Sequence, residues 1–382
     1  MRILIFVLAT LLISCSSKES KDLIPEKSGP PSISLGYLEA PAGFEISVFA
    51  EGVTNARQMA MSDSGILYVG SRREGKVYAV VDNNNDFQAD SVYTIIEGLR
   101  LPNGVAYKDG SLFVAEVSKI WRFDNIDQNY ADSPKPVLVT DELPTEGHHG
   151  WKYIAFGPDD KLYVPIGAPC NICNHEEDNP LFATLTKMNA DGSEHEIVAK
   201  GIRNTVGFTW HPETGNIWFT DNGRDWLGDD IPPCELNEIT GEDQHFGYPY
   251  LHGNDVWDPK FGEDGKLMAD RFNKPVQELG AHVAPLGVIF YTGNMFPTTY
   301  KHRALIAEHG SWNRSSKVGY QISQVIFDDE GNPTDYKPFI TGWLAGEEDI
   351  KGRPVSILQL DDGSLLISDD DSGKIYRVTY SI

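Results

Sequence analysis

The chain has 382 residues, which is one large domain or two medium ones at about 100–200 residues per domain. Hydrophobic residues make up 40% and charged residues 23%, a balance that excludes wholesale disorder. The net charge of −24 argues against a sequence-independent grip on nucleic acid, which needs Lys and Arg to displace counterions, so no nucleic-acid partner is expected.

The first residues read as an address. Met1-Arg2 is followed by an apolar run, Ile3 to Ile13, too short to cross a bilayer but suited to a signal sequence. It ends in Leu12-Ile13-Ser14-Cys15, which resembles a bacterial lipobox. The expectation is a signal peptide over 1–14, lipidation of Cys15 and a flexible tether over 15–37. That places the folded part, 38–382, in the bacterial cell envelope, periplasmic or at the cell surface, held to the membrane by lipid alone.

From there one strand–turn–strand unit recurs. Gly65–Val69 leads to Gly75–Val80, and Gly110–Val114 to Lys119–Phe123. Lys161–Val164 and Asn216–Phe219 each follow a turn. Ala304–Ala307 leads to Gly319–Phe327, and Ser364–Ile367 to Gly373–Val378. These six units, built of β-branched and aromatic residues between Asp/Gly/Pro turns, repeat at roughly 45–60 residues, the signature of a propeller. The reading is all-β: a six-bladed β-propeller of four-stranded antiparallel blades, with an extra stretch between the fourth and fifth units. A β-sandwich is the alternative and leaves the repetition unexplained. Cys170 and Cys173 form a CxxC without a second ligand pair, which reads as a local disulfide, with Cys234 a buried free thiol.

Propeller sites gather at one mouth of the channel. Glu146–Gly150, Gly201–Asn204 and Lys351–Arg353 each stand just before the first strand of a unit and converge at one end. One histidine of the His148-His149 pair suits a general base near neutral pH. Arg203-Asn204 suits a planar anion. Lys351, Arg353 and either Lys317 or Arg314 add cations, so a strongly acidic chain collects positive charge at one mouth, which points to an anionic ligand. The carboxylate- and glycine-rich stretch 221–237 suits a hard cation such as Ca²⁺.

Taken together, Gly147-His-His-Gly150, Phe156–Val164, Gly201-Ile-Arg-Asn204, the Asp221–Asp225 loop, Gly247-Tyr-Pro249 and His309–Arg314 resemble the glucose/sorbosone dehydrogenase family over residues 40–380. The resemblance implies a six-bladed propeller that uses pyrroloquinoline quinone (PQQ) and calcium. It implies that His149 is the catalytic base and that Arg353 lies over the cofactor and assists hydride transfer. It implies that Arg203 and Asn204 bind the cofactor, with Lys317 or Arg314 and Lys351 as further cofactor contacts. The carbonyls of Gly223 and Arg224 correspond to ligands of the cofactor-bound Ca²⁺. Glu235, with Asp229 or Asp230 near it, corresponds to a second, structural calcium site. Pro102 and Lys351 depart from the family pattern. The leading expectation is oxidation of an aldose or related sugar or aldehyde, with electrons leaving to a separate acceptor. A metal-dependent lactone hydrolase and a non-enzymatic carbohydrate- or protein-binding lipoprotein are the alternatives.

Overall fold

The computed structural model describes residues 35–381. The expected signal peptide, the Cys15 lipid site and nearly all of the expected tether lie outside the described residues. The rest forms six sheets of four or five strands in chain order, with two short two-stranded hairpins beside them. Blade I comprises Ala56–Met61, Leu67–Ser71, Val77–Val81 and Ser91–Ile96. Blade II comprises Gly104–Lys108, Ser111–Ala115, Ile120–Phe123 and Val137–Thr140. Blade III comprises Ala155–Phe156, Leu162–Ile166, Thr184–Met188 and Glu196–Lys200. Blade IV comprises Phe208–Trp210, Ile217–Asp221, Cys234–Ile239 and Gln277–Leu279. Blade V comprises Pro285–Phe290, Ala304–Glu308, Gln321–Phe327 and Pro333–Ile340. Blade VI takes Pro354–Gln359, Leu365–Asp369 and Lys374–Tyr380 from the end of the chain and Phe44–Ala50 from its beginning.

First strands touch around the axis in five of the six neighbouring pairs, and blades III and IV are joined by a shared apolar cluster, so this is the six-bladed propeller read from the repeat. Second strands such as Leu67–Ser71 and Leu365–Asp369 are buried at every residue. The reason is that each sheet is covered on both faces by its neighbours, which removes the usual apolar–polar alternation. The six largest apolar clusters each lie between two adjacent blades: Leu67, Tyr78 and Leu366 join blades I and VI, and Tyr163, Phe208 and Phe219 join III and IV. The ring is closed by antiparallel pairing of Phe44–Ala50 with Lys374–Tyr380, and Phe44 sits within 5.0 Å of the rings of Phe296, Tyr300, Phe339 and Tyr380.

The extra stretch proves to be an insertion within blade IV, between its third and fourth strands. Gln244–His245 adds a parallel fifth strand to blade III, and a short hairpin, Leu251–His252 with Val256–Trp257, packs with Tyr250 and Phe272 as a small core of its own. The stretch 221–237 is also not one loop, because Asp221 ends a strand and Cys234–Glu235 begin the next.

Topology fixes where a site can form. Successive strands in a blade are antiparallel, so the entry to the first strand and the turn from second to third strand lie on the same rim. Two sets of loops, one residue group from each blade in turn, therefore face one mouth.

Candidate active site

A cavity of about 630 Å³ opens on that rim, and its walls come from these two loop sets. Five arginines line it, Arg57, Arg72, Arg73, Arg203 and Arg353, against three carboxylates, Asp225, Asp370 and Asp371. Positive charge thus gathers at the mouth of a chain whose net charge is −24.

His149 enters from the loop before blade III. Its backbone is left-handed (φ 49°), and Gly167 allows the close approach, since a Cβ there would stand 2.6 Å from the His149 Cβ. His149 Nδ1 lies 2.9 Å from the Ala168 carbonyl. A carbonyl only accepts, so Nδ1 carries the proton and Nε2 is left as a lone-pair acceptor. Burial, followed by the Arg203 and His148 charges, holds the His149 imidazole well below its ordinary range, so it is neutral at pH 7. His148 is exposed and its ring centroid lies 4.1 Å from that of His149.

Arg203 and Asn204 enter before blade IV. The Arg203 guanidinium is mostly occupied by the protein: Nε donates to the Asn171 carbonyl (3.0 Å), Nη2 to Asn171 Oδ1 (2.9 Å) and Nη1 to the Asn222 carbonyl (3.0 Å). Asn171 lies between Cys170 and Cys173, which are joined as a disulfide. Asn171 also bonds the main chain of Asp225 through both side-chain atoms. Arg203 is therefore a post that ties the cysteine loop to the Asp221–Asp225 turn. The Asn204 amide lines the cavity and bonds no other side chain among the described residues.

Arg353 enters before blade VI. It bonds Tyr320 Oη through Nη2 (3.1 Å) and meets His309 Nδ1 through Nη1 (3.4 Å). His309 Nε2 lies 2.8 Å from Asp370, which also receives Arg57 at 2.9 Å. Burial pushes the Asp370 carboxyl up, but His309 and Arg57 outweigh it and hold it well below the usual range. His309 has both nitrogens engaged, whereas His149 keeps one free, so geometry favours His149 as the base. Arg72 stacks on Trp151 with its guanidinium carbon 3.7 Å from the ring centre, and its Nε is buried with no partner among the described residues. Burial, then Arg57 and Arg73, draw Arg72 down to about 10.

Of the residues singled out in the sequence, His149, Arg203, Asn204, Gly223 and Arg353 line the cavity. The remaining cations lie elsewhere. Lys351 pairs with Asp349 (2.6 Å) at the surface, and Lys317 pairs with Glu348. Arg314 donates to the Asp229 carbonyl and lies 3.1 Å from Asp230, so these two acids belong to Arg314 and not to Glu235. The Arg224 side chain turns away to Asp258 (2.6 Å). Glu235 instead faces Asp221 directly across paired strands of blade IV, beside a void of about 10 Å³. Burial and then Asp221 push Glu235 up to about 8, and burial pushes Asp221 up to about 6 against the Asn204 and Arg203 amides it accepts. Among the described residues, no three His, Cys, Asp or Glu side chains are grouped to hold a metal.

Arg57, Arg72, Arg73, His282 and Trp312 were not foreseen. Arg72-Arg73 and Trp312 sit in second-to-third-strand turns, the loop set equivalent to the entries; pairing the two sets along the repeat is the signal that finds them. Pro102 does not line the cavity, and blade II acts from behind, where Asn103 Oδ1 receives Arg57 Nε at 2.6 Å.

A family model described as "Domain of unknown function (DUF7133)" matches residues 30–370. The chain belongs to this family. A Borreliella burgdorferi protein described as "Uncharacterized protein" is 37% identical to this DUF7133 chain over 90% of the chain and 91% of that protein. A PQQ-dependent pyranose dehydrogenase of Coprinopsis cinerea is 23% identical over 88% of the chain, which spans about half (54%) of that protein's length. A calcium structure of a Trichoderma reesei carbohydrate-active enzyme of family AA12 shares the fold, with a TM-score of 0.74 at 22% identity, covering 93% of the chain and 100% of the other. The motifs resemble the glucose/sorbosone dehydrogenases; the family shown is DUF7133, and the likeness to sugar dehydrogenases is one of fold.

Proposed function

We propose that this chain is a PQQ- and calcium-dependent dehydrogenase of aldoses or related sugars and aldehydes, anchored in the cell envelope by lipid on Cys15. The observation that carries the reading is the cavity, where three arginines with no carboxylate bridge among the described residues (Arg72, Arg73 and Arg353) converge beside a neutral histidine with one free nitrogen. The names of the Coprinopsis and Trichoderma proteins support the choice of PQQ and calcium.

The donor set fits the cofactor. PQQ is planar and carries three carboxylates; Arg72 has a buried Nε lacking a partner among the described residues, Arg73 stands beside it in the same turn, and Arg353 comes from the entry to blade VI. Asn204 supplies an amide free to bond it. The Gly223 and Arg224 carbonyls would hold the ion at the cofactor, and Glu235 with Asp221 a structural one, beside the void of about 10 Å³. Bound there, PQQ supplies the hydride acceptor and the ion polarises it.

The remaining work falls to the chain. His149 Nε2 takes the hydroxyl proton of the sugar, while the Ala168 carbonyl fixes the tautomer and steadies the imidazolium that results. Arg353, braced by Tyr320 and by the His309–Asp370 pair, keeps a positive charge at the reacting centre. Arg203 does not reach for substrate; it holds the Asn222–Asp225 wall in place. A separate acceptor takes the electrons. The test is an aldose panel with a dye acceptor on chain loaded with PQQ and Ca²⁺. Dye reduction that requires both sugar and PQQ is expected, and a loaded chain silent towards every aldose and aldehyde would overturn the reading.

A further inference from the structure

Two tryptophans at the rim of the cavity have no part in the core. Trp226 and Trp312 are 65% and 68% exposed, the most exposed aromatic side chains among the described residues. Trp226 stands in the second turn of blade IV and Trp312 in that of blade V, and their rings meet edge to face with centroids 5.5 Å apart. The Trp226 amide donates to Asn313 Oδ1 at 2.9 Å, which ties the two turns together. Trp226 is also left-handed (φ 69°), a conformation that bulky residues rarely adopt and that tends to persist where the strain serves a site. Trp312 lines the main cavity and, with Trp226, a second open cavity of about 490 Å³ outside it. Asp229, Asn313 and Ser315 are among the polar walls of that outer cavity.

We propose that Trp226 and Trp312 form an outer subsite that stacks the pyranose rings of an oligosaccharide, so that the substrate is an extended saccharide whose end sugar enters the main cavity. The inference rests on the sugar-oxidation reading of that cavity. A pyranose with equatorial hydroxyls has apolar C–H faces and a polar edge. An indole face suits the first, and carboxylate, amide and hydroxyl groups suit the second. A protein partner is a poorer match, because a specific interface buries about 1,200 Å² or more and two indoles with a polar fringe fall short of it. Trp312 lines both cavities, so a sugar stacked in the outer one stands next to the main one.

The test is binding without turnover: calorimetric titration of the full chain with glucose, cellotetraose and maltotetraose, on wild type, Trp226→Ala and Trp226→Tyr. One tetrasaccharide should bind at least about tenfold tighter than glucose, equal to about 1.4 kcal/mol. Trp226→Ala should erase that gain, and Trp226→Tyr, which keeps an aromatic face, should retain most of it. Melting temperatures matching wild type would show that the variants are folded. If neither tetrasaccharide binds more tightly than glucose, or if Trp226→Ala keeps the gain, the subsite is overturned. Length-dependent binding by a chain that takes up no PQQ would uphold the subsite and sink sugar oxidation. Oxidation of simple sugars with no length dependence would do the reverse.

Discussion

In the proposed reaction, one hydrogen bond prepares His149 as the base. With Nδ1 committed to the Ala168 carbonyl, Nε2 has no role in the fold, so its loss removes a base and little structure. His149→Ala should leave PQQ uptake intact and lower kcat by about 10²–10⁴-fold, the usual worth of a general base. A variant turning over near the wild-type rate would mean that another group takes the proton. Because burial holds this imidazole below its ordinary range, the acid limb of the rate profile should fall below pH 6.5. Lys152, three residues on, is a second test at this scale. It is buried, donates to the Gly150 carbonyl at 2.6 Å, and is drawn down to about 7 by burial, which Glu146 only partly offsets. Between about 7 and its ordinary 10.5, the unfolded chain holds a proton that the folded chain does not, so this residue makes stability rise with pH across that window. Lys152→Met should melt about 5 °C above wild type at pH 6.5, with the gap closing towards pH 10, as followed by thermal denaturation. A gap constant across that range would contradict a buried, neutralised amine. His149 was legible in the sequence because its loop announces itself by position and residue type. The true partners of Arg203, Arg314 and Lys317 were not, because a charged side chain's direction depends on which acid or carbonyl the fold brings near.

At the scale of elements, the site is a set of turns that brace one another. The cysteine loop of blade III holds Arg203 and the Asp225 main chain through Asn171, and Arg203 in turn holds Asn222. Asn171→Ala removes three of these bonds, each worth about 1 kcal/mol net, so PQQ affinity should fall at least about tenfold by absorbance titration. Unchanged affinity would mean that the cysteine loop is not part of the site's support. The entry loops were readable because each precedes a recognisable strand. The second turns were harder to see: Arg72-Arg73 sits in a short polar connection that looks like any exposed hairpin. The acid-rich stretch 221–237 misled for a related reason. Its composition is that of a loop, yet Asp221 and Glu235 end and begin paired strands, and Asp229-Asp230 serve Arg314.

At the scale of the whole molecule, the repeat made six blades visible, because each unit is local and carries its own turn. What lay beyond it was non-local: the closure of blade VI by Phe44–Ala50, 324 or more residues from its partner strand's start, and the insertion that splits blade IV. The sixfold ring is also what turns a net charge of −24 into a mouth with five arginines, since no single blade supplies more than three of them. That concentration of positive charge is the physical basis for proposing an anionic cofactor. The most direct measurement is therefore absorbance titration of the full chain with PQQ, with and without Ca²⁺. Stoichiometric uptake that needs Ca²⁺ and reverses on chelation is the predicted result. No uptake under either condition would contradict the account.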